Sequence, residues 1–248
     1  MKIAVLVKTV PDSEARIQLA PDGKDWVRKD VKLDLNPYDE YAIEAGLQLK
    51  ESGGGTVTVV SFGQSDVTET IRKALAMGAD DAIHAVGDAS ADPIVTAKAL
   101  AQVLQGRGFE LILAGKSAID DDNMAIGTMV ATALDLPSVS VVVKLTIAEG
   151  KATCEREIDG GIEVVETSLP AVITCQKGLN EPRYPSLKGV MAAKKKTVEQ
   201  VNVSAESPKV TIENYTYPEA RKGGRFLGKS MEDVPELVRL LKEEAKVL

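Results

Sequence analysis

The sequence predicts a doubly wound α/β fold: a mostly parallel sheet, an antiparallel hairpin added to it, and a C-terminal arm. Three observations predict it. Short apolar runs alternate with amphipathic helical stretches through the first two-thirds of the 248 residues. Aromatic residues make up only 4% of the chain, so Val, Leu, Ile and Ala must build the core, and that composition suits strands buried on both faces. After about residue 144 the alternation stops, and two strand-like runs flank a turn signal.

Ile3–Val7 is an apolar run and forms the first expected strand. Asn36-Pro37 supplies an N-cap and a first helical position, with Asp39 and Glu40 in the first turn, where carboxylates are favoured. That helix carries Ala42, Ala45, Leu47 and Leu49 and stops at Ser52-Gly53-Gly54-Gly55. Thr56–Phe62 is a second strand, closed by Gly63. Asp66-Val67-Thr68-Glu69 has the form of a capping box and opens a helix with Ile71, Leu75 and Ala76 that stops at Gly78. Ala82–Val86 is a third strand, and Asp92-Pro93 opens a helix that ends at Gly106 or Gly108. Leu111–Ala114 is a fourth strand; a polar loop from Gly115 to Asn123 leads into an Ala- and Met-rich helix ending before Pro137. Val139–Val143 is a fifth strand, and the alternation so far implies right-handed crossovers. Lys151–Ile158 and Ile162–Ser168 flank Asp159-Gly160-Gly161, a hairpin signal, and Ala171–Cys175 is one more strand. This last region is expected to be antiparallel sheet added to the parallel core.

Residues 197 to about 230 have little regular pattern, with Pro208, Pro218, Gly223, Gly224 and Gly228. A final helix is started by Ser230, with Asp233 three residues on, and puts Val234, Leu237, Leu241 and Ala245 on one face. The organisation is therefore an α/β domain over 1–200 and an arm over 201–248. An amphipathic face at the end of such an arm either folds back or docks on a partner chain, and the arm's length favours the partner.

A formal net charge of −7 argues against a nucleic-acid binder and against an anionic membrane surface. No apolar run approaches the ~18 residues of a bilayer span, and Met1–Lys8 is too short for a signal peptide. Cys154 and Cys175 lack metal-ligand spacing and fit a reduced cytoplasm or matrix. The single histidine, His84, lies in an apolar strand as a satisfied core or edge residue. Nothing here makes a hydrolytic triad or a zinc site. Lys8-Thr9-Val10-Pro11-Asp12 follows the first strand without a Gly-x-Gly-x-x-Gly or Walker pattern. The absence of a catalytic constellation favours a binding or electron-carrying role over group transfer.

Three segments carry possible chemistry. The loop from Gly115 to Asn123, closing at Gly127, follows the fourth strand, and open α/β sheets bind ligands at carboxyl strand ends. Helix N-terminal amides there can hold a phosphate while Asp120, Asp121 and Asp122 cap backbone or take ribose hydroxyls. The alternatives are a solvated acidic loop or a Mg²⁺ site, although no second carboxylate cluster supports the latter. Asn36 to Asp39 is explained by helix capping, with a role in lining a pocket left open. Ser52–Gly55 precedes a strand instead of following one, so it is a helix stop. The stretch from Leu179 to Lys196 contains Pro182 and Pro185, then Leu187, Val190 and Met191 at helical spacing, then a basic triplet. It is either a small docking surface or a buried turn followed by a solvated lysine run.

Leu-Asn-Glu-Pro-Arg-Tyr at 179–184, with Leu187 and Ala-Lys-Lys-Lys at 193–196, resembles the signature of the β subunits of electron-transfer flavoproteins. Val5–Lys8, Asn36-Pro37, Glu69–Arg72 with Ala74–Asp80, Gly115–Asp122 and Glu155–Gly161 agree in order and spacing. The likeness covers roughly residues 1–200. It implies a Rossmann-like, adenine-nucleotide-binding β subunit of an αβ heterodimer. One redox-active FAD would be held mainly by the α subunit, and an AMP without redox role by this one. By similarity the AMP lies against Leu6, Asn36, Pro37, Tyr38, Asp39, Phe62, Gly115, Lys116, Ser117, Ala118, Ile119, Asp120, Asp121, Asp122, Asn123, Met124, Ala125 and Ile126. At Met124, Ala125 and Ile126 the chain departs from relatives with polar side chains there, which takes side-chain contacts away from those positions. Leu187 matches the leucine of a recognition loop that enters a pocket on an acyl-CoA dehydrogenase, with Tyr184 and Met191 beside it.

The resemblance further implies a non-catalytic carrier in fatty acid β-oxidation, shuttling electrons from flavin dehydrogenases to the electron-transfer flavoprotein–quinone oxidoreductase. It would work in a bacterial cytoplasm or a mitochondrial matrix. One branch of the family bifurcates electrons and carries a second FAD in place of AMP, with a small residue where this chain has Asp121; the bulky acid favours AMP. A stand-alone ATP- or AMP-binding stress-type module is a further alternative, but it needs neither arm nor recognition loop.

Overall fold

In a computed structural model, residues 1–88, 92–204, 207–220 and 223–248 are described, and among them the apolar runs form a nine-stranded sheet. In chain order the elements begin with β1 (Lys2–Leu6), β2 (Thr9–Pro11), β3 (Leu33–Leu35), α1 (Pro37–Gly53) and β4 (Thr56–Gly63). Then come α2 (Val67–Met77), β5 (Asp81–Val86), α3 (Pro93–Leu104), β6 (Leu111–Gly115) and α4 (Ile126–Leu134). The remainder is β7 (Ser138–Ala148), β8 (Lys151–Ile158), β9 (Gly161–Ser168), β10 (Ala171–Cys175), α5 (Leu187–Lys195), β11 (Glu199–Asn202) and α6 (Val234–Glu243).

The strand order is β11-β5-β4-β1-β6-β10-β7-β8-β9. Neighbours from β11 to β7 are parallel, and β7, β8 and β9 are antiparallel. From β1 the chain builds outward through β4 and β5, then crosses back to lay β6 on the other side of β1. The winding thus reverses between β1 and β6, where such sheets open a crevice at their carboxyl ends. Leu6 lies opposite Ala114 across that boundary.

Alternate residues of each central strand feed opposite layers, as the period of two requires. Ile3, Val5, Val57, Val59, Leu111 and Ile173 pack with Ile43 of α1 and Ile71 and Leu75 of α2. Ala4, Leu6, Val60, Phe62, Ile112 and Val172 pack with Leu100 and Val103 of α3 and Val130 of α4. Each such large side chain contributes about 1.5–3 kcal/mol on burial.

Ala171–Cys175, expected in the antiparallel addition, instead lies inside the parallel sheet between β6 and β7. All five of its residues are buried, so it needs cover on both faces, and the β8–β9 hairpin hangs from β7 instead. Glu199–Asn202, expected to be irregular, pairs with β5 as an edge strand. Only Val201 of it is even partly buried, too weak a pattern to announce a strand. β7 runs well past Val143, because its second half is the first leg of the antiparallel addition. β2 and β3 form a separate antiparallel pair that returns the chain to β1, where Asn36 N donates to the Lys8 carbonyl at 3.0 Å. Asp66 makes no side-chain cap bond, since its backbone is already helical. His84 is buried with Nε2 donating to the Gly63 carbonyl at 2.9 Å. Gly54, at φ 74°, closes α1 by donating to the Lys50 carbonyl, a conformation that favours glycine.

The described chain divides into two units, Met1–Asn214 and Tyr215–Leu248. Four residues of the arm, 205, 206, 221 and 222, lie outside the described ones. In the second unit Ser230, expected as the helix start, forms a capping box with Asp233 that opens a 3₁₀ turn at Met231–Asp233 ahead of α6. Val234 and Leu237 are exposed. Ala245 falls beyond the helix end, where its amide turns back onto the Leu240 carbonyl.

Candidate functional site

At the β1/β6 switch point one buried carboxylate joins α1 to the link after β1 and to β6. Asp39, in the first turn of α1, accepts from Lys8 N on Oδ2 at 2.8 Å and from Gly115 N on Oδ1 at 3.0 Å. Asn36 makes no cap bond to its own helix. Its Nδ2 donates instead to Asp39 Oδ1 and to the Ser117 carbonyl, both at 2.9 Å, and its Oδ1 accepts from Ile119 N at 3.2 Å. The expected helix cap is thus a long-range clamp on the loop after β6. Both side chains are buried. Burial pushes the Asp39 carboxyl up to about 7, against the opposing pull of its donated hydrogen bonds. Gly115 must be glycine here, because a methyl group would overlap the Asp39 carboxylate and Tyr38.

The acidic loop folds partly onto itself. Asp122 N donates to the Ala118 carbonyl at 2.8 Å, and Ala125 N donates to Asn123 Oδ1 at 3.0 Å. Asp122 and Met124 take left-handed backbone conformations, φ 46° and 53°. Asp120 and Asp121 draw in Lys8, whose Nζ lies 2.8 Å and 3.0 Å from them. Burial works against the Lys8 ammonium, but the two carboxylates outweigh it and raise its pKa. Lys116 Nζ sits 5.0 Å from the centre of the Tyr38 ring. The N-terminus of α4, preceded by Ala125, has no side-chain cap, and Gly127 lets it approach Thr174 of β10. Among the described residues, Ser117 Oγ is buried without a hydrogen-bond partner.

The sequence-derived positions therefore gather at one end of the sheet. Leu6 and Phe62 lie buried at the ends of β1 and β4. Pro37 is exposed beside half-buried Tyr38. Ile119 and Met124 are exposed, while Ala118, Ala125 and Ile126 are half-buried.

A second surface is built by residues 179–195. Asn180 Nδ2 donates to the Tyr41 carbonyl at 2.9 Å. Arg183 grips Glu44 of α1 through Nε–Oε2 at 2.7 Å and Nη2–Oε1 at 2.9 Å, and also reaches Glu51. Ser186 caps α5, its Oγ accepting from Gly189 N at 3.0 Å. Arg72 of α2 donates to the Ala193 and Lys196 carbonyls at the far end. Gly189 seats α5 on α2, since a methyl there would overlap the Ala76 carbonyl. With the segment tied to α1 and α2, Tyr184, Leu187 and Met191 are 95%, 87% and 67% exposed. A cleft of about 370 Å³ beside them is lined by Arg72, Lys73, Ala76, Pro185, Val190, Ala193 and Lys194.

Residues 26–206 match the family model described as the electron transfer flavoprotein domain. A Syntrophomonas wolfei protein named electron transfer flavoprotein subunit beta is 45% identical over 238 residues, 96% of this chain and 92% of its own. A Bacillus subtilis protein of the same name is 38% identical over 264 residues, covering all of both chains. The chain belongs to the electron transfer flavoprotein β-subunit family. The family extends to plants: a mitochondrial electron transfer flavoprotein subunit beta of Oryza sativa subsp. japonica is 40% identical over 258 residues, again covering all of both chains. The resemblance drawn from Leu179–Tyr184 therefore holds, and these relatives are subunits of a carrier.

Three residues at these two surfaces have no site role in the sequence pattern, although Lys8 and Arg183 lie in stretches that carry the family resemblance. Lys8 follows the first strand in a stretch without a phosphate motif, and its place two residues past the end of β1 is the usable signal. Glu44 and Arg183 are joined across 139 residues, and nothing local in the sequence pairs them.

Proposed function

We propose that this chain, as the β subunit of a heterodimer, holds AMP in the β1/β6 crevice, supports the flavin domain of an α subunit, and docks flavin dehydrogenases through α5. The observation that carries the reading is the state of that crevice. A buried hydroxyl without a partner, Ser117 Oγ, lies on the loop that leads to an uncapped helix N-terminus. An unsatisfied buried hydroxyl and free helix amides are the chemistry that a phosphate or ribose oxygen completes. The three aspartates do not oppose an anion as strongly as their number suggests, because Lys8 neutralises part of the charge of Asp120 and Asp121. The residues present fit the nucleotide.

In this reading Leu6 and Phe62 give the apolar floor, Asn36 and Asp39 fix the loop, and Ser117 with the first amides of α4 takes the polar end. Asp121, held on Lys8, favours a monophosphate over the pyrophosphate of a second FAD. FAD, held mainly by the α subunit, supplies the redox chemistry; this chain's residues position and dock. Leu187 and Met191, exposed on a fastened helix, present an apolar anchor beside lysines, which suits acyl-CoA dehydrogenases as electron donors. The onward acceptor is the electron-transfer flavoprotein–quinone oxidoreductase. Bacterial and mitochondrial relatives support a cytoplasmic or matrix setting, and among the described residues no helix is long and apolar enough to cross a membrane.

The test is the small-molecule content of the denatured heterodimer. AMP with one FAD is expected. Two FAD and no AMP would mean the electron-bifurcating arrangement, and tight FAD binding by this chain alone would overturn the division of labour.

A further inference from the structure

We propose that Asp39 is a positioning residue for the nucleotide loop: its ionised carboxylate ties β1 to β6 and, through Asn36, holds Ser117–Ile119 in the shape that takes the nucleotide, so that a proton on Asp39 loosens the loop and weakens nucleotide binding. This rests on the nucleotide reading above and goes beyond a contact role for the residue.

Three donors converge on this one carboxylate: Lys8 N, Gly115 N and Asn36 Nδ2. An ionised carboxylate accepts from all of them. A carboxylic acid carries a donor of its own, and the hydrogen bonds that reach the Asp39 carboxyl group among the described residues are all donations to it. All three bonds then weaken, because a neutral acid is a poorer acceptor than a carboxylate. Asn36 is the movable partner, because the other two are backbone amides within or beside strands. Asn36 is also what fixes the loop, accepting from Ile119 N and donating to the Ser117 carbonyl. Its displacement is therefore passed on to the residues that carry the unpartnered Ser117 hydroxyl.

The charged and titratable groups around Asp39 leave it as the proton acceptor. From the link between β1 and β2, the Lys8 ammonium is drawn to Asp120 and Asp121. From β10, the Cys175 thiol is held neutral by burial, with Asp39 itself adding to that shift. On α1, Glu40 is paired with Lys73, 2.9 Å away. From the loop, Lys116 lies over Tyr38. Burial brings Asp39 to about 7, so the ionised form prevails above that pH and is lost as pH falls through it. A competing effect has the opposite sign: an anionic ligand is repelled by a nearby carboxylate and would prefer Asp39 neutral. Both oxygens of Asp39 are engaged by inward bonds, so the loop-holding effect prevails.

The experiment measures AMP affinity of the whole chain by calorimetry at pH 8, 7 and 6, for wild type and Asp39→Asn. AMP's own phosphate gains a proton near about 6, and this is common to both proteins. At pH 8 the variant is expected to bind on the order of tenfold more weakly. Towards pH 6 the wild type should lose roughly that advantage, so that the two converge. Parallel profiles, or a wild type that gains on the variant at low pH, would overturn the inference. Failure of the wild type to bind AMP at any pH would overturn the nucleotide reading instead. A second readout needs no variant and no ligand: amide exchange of Gly115 and Ile119 in the wild-type chain. Their protection should drop as pH falls below about 7, after correction for intrinsic rates. Unchanged protection sinks the proposal whether or not Asp39→Asn folds.

Discussion

Replacing Arg183 with alanine should both destabilise the chain and free the docking segment, and the structure sets the size of the first effect. The Glu44 side chain is only 5% exposed, and that of Arg183 is 36% exposed. Burial alone would raise the Glu44 carboxyl, but the Arg183 bonds reverse this and hold it below the usual carboxylate range. Without Arg183, Glu44 would keep the Gln48 amide at 2.9 Å as its side-chain partner. Orphaning one member of a fully buried pair costs about 3–5 kcal/mol. Water reaching the partly exposed site reduces this to about 2 kcal/mol, and the exposed Glu51 contact adds about 0.5 kcal/mol. The assay is a double-mutant cycle of Arg183→Ala and Glu44→Gln, by urea denaturation followed by circular dichroism. A coupling of about 1.5–2 kcal/mol is expected. A coupling under about 0.5 kcal/mol would show that Arg183 is an ordinary surface charge and that the Leu179–Pro185 stretch is not pinned by it.

Leu187→Ala should change stability by less than about 0.5 kcal/mol, while slowing electron transfer from a flavin dehydrogenase by roughly tenfold; a matching loss of stability would place Leu187 in the core. Gly115→Ala should cost about 2–3 kcal/mol and abolish AMP binding, because the methyl group overlaps Asp39 and Tyr38; a variant with wild-type melting and binding would refute that close approach. Folded Asp39 titrates near 7, and an unfolded aspartate near about 4, so the folded state holds the extra proton between them. Wild-type stability should therefore fall as pH rises from about 4 to about 7, by on the order of 4 kcal/mol at most, and level off above. Asp39→Asn should lack that slope in denaturation measured across pH, and an identical slope in the variant would count against the buried charge.

The parallel core was legible because strands buried on both faces are continuous apolar runs, as in Ile3–Val7 and Leu111–Ala114. The place of the crevice was legible too, since the loop after β6 follows a strand at its carboxyl end. What escaped was long-range chemistry behind adequate local explanations. Asn36-Pro37 is fully accounted for as a helix start, yet the Asn36 side chain is spent on Ser117, 81 residues away. Glu44 looks like a solvated helix position until Arg183 arrives. β10 was misplaced because a five-residue apolar run does not state which strands flank it. β11 was missed because an edge strand with one half-buried side chain has almost no pattern to detect.

Helix α1 serves both ends of the molecule's business. Its first turn carries Asp39, and its later turns carry Glu44 and Glu51, which hold Arg183. At 1.5 Å per residue, Asp39 and Glu51 stand about 18 Å apart along the axis. The distance between the Asp39 end and the Arg183 anchor is therefore gauged by a hydrogen-bonded rod and not by a loop. In the proposed docking, donor preference would be retuned at Tyr184, Leu187 and Met191 as on an exchangeable faceplate, whereas changes along α1 would shift the frame on which the faceplate is mounted.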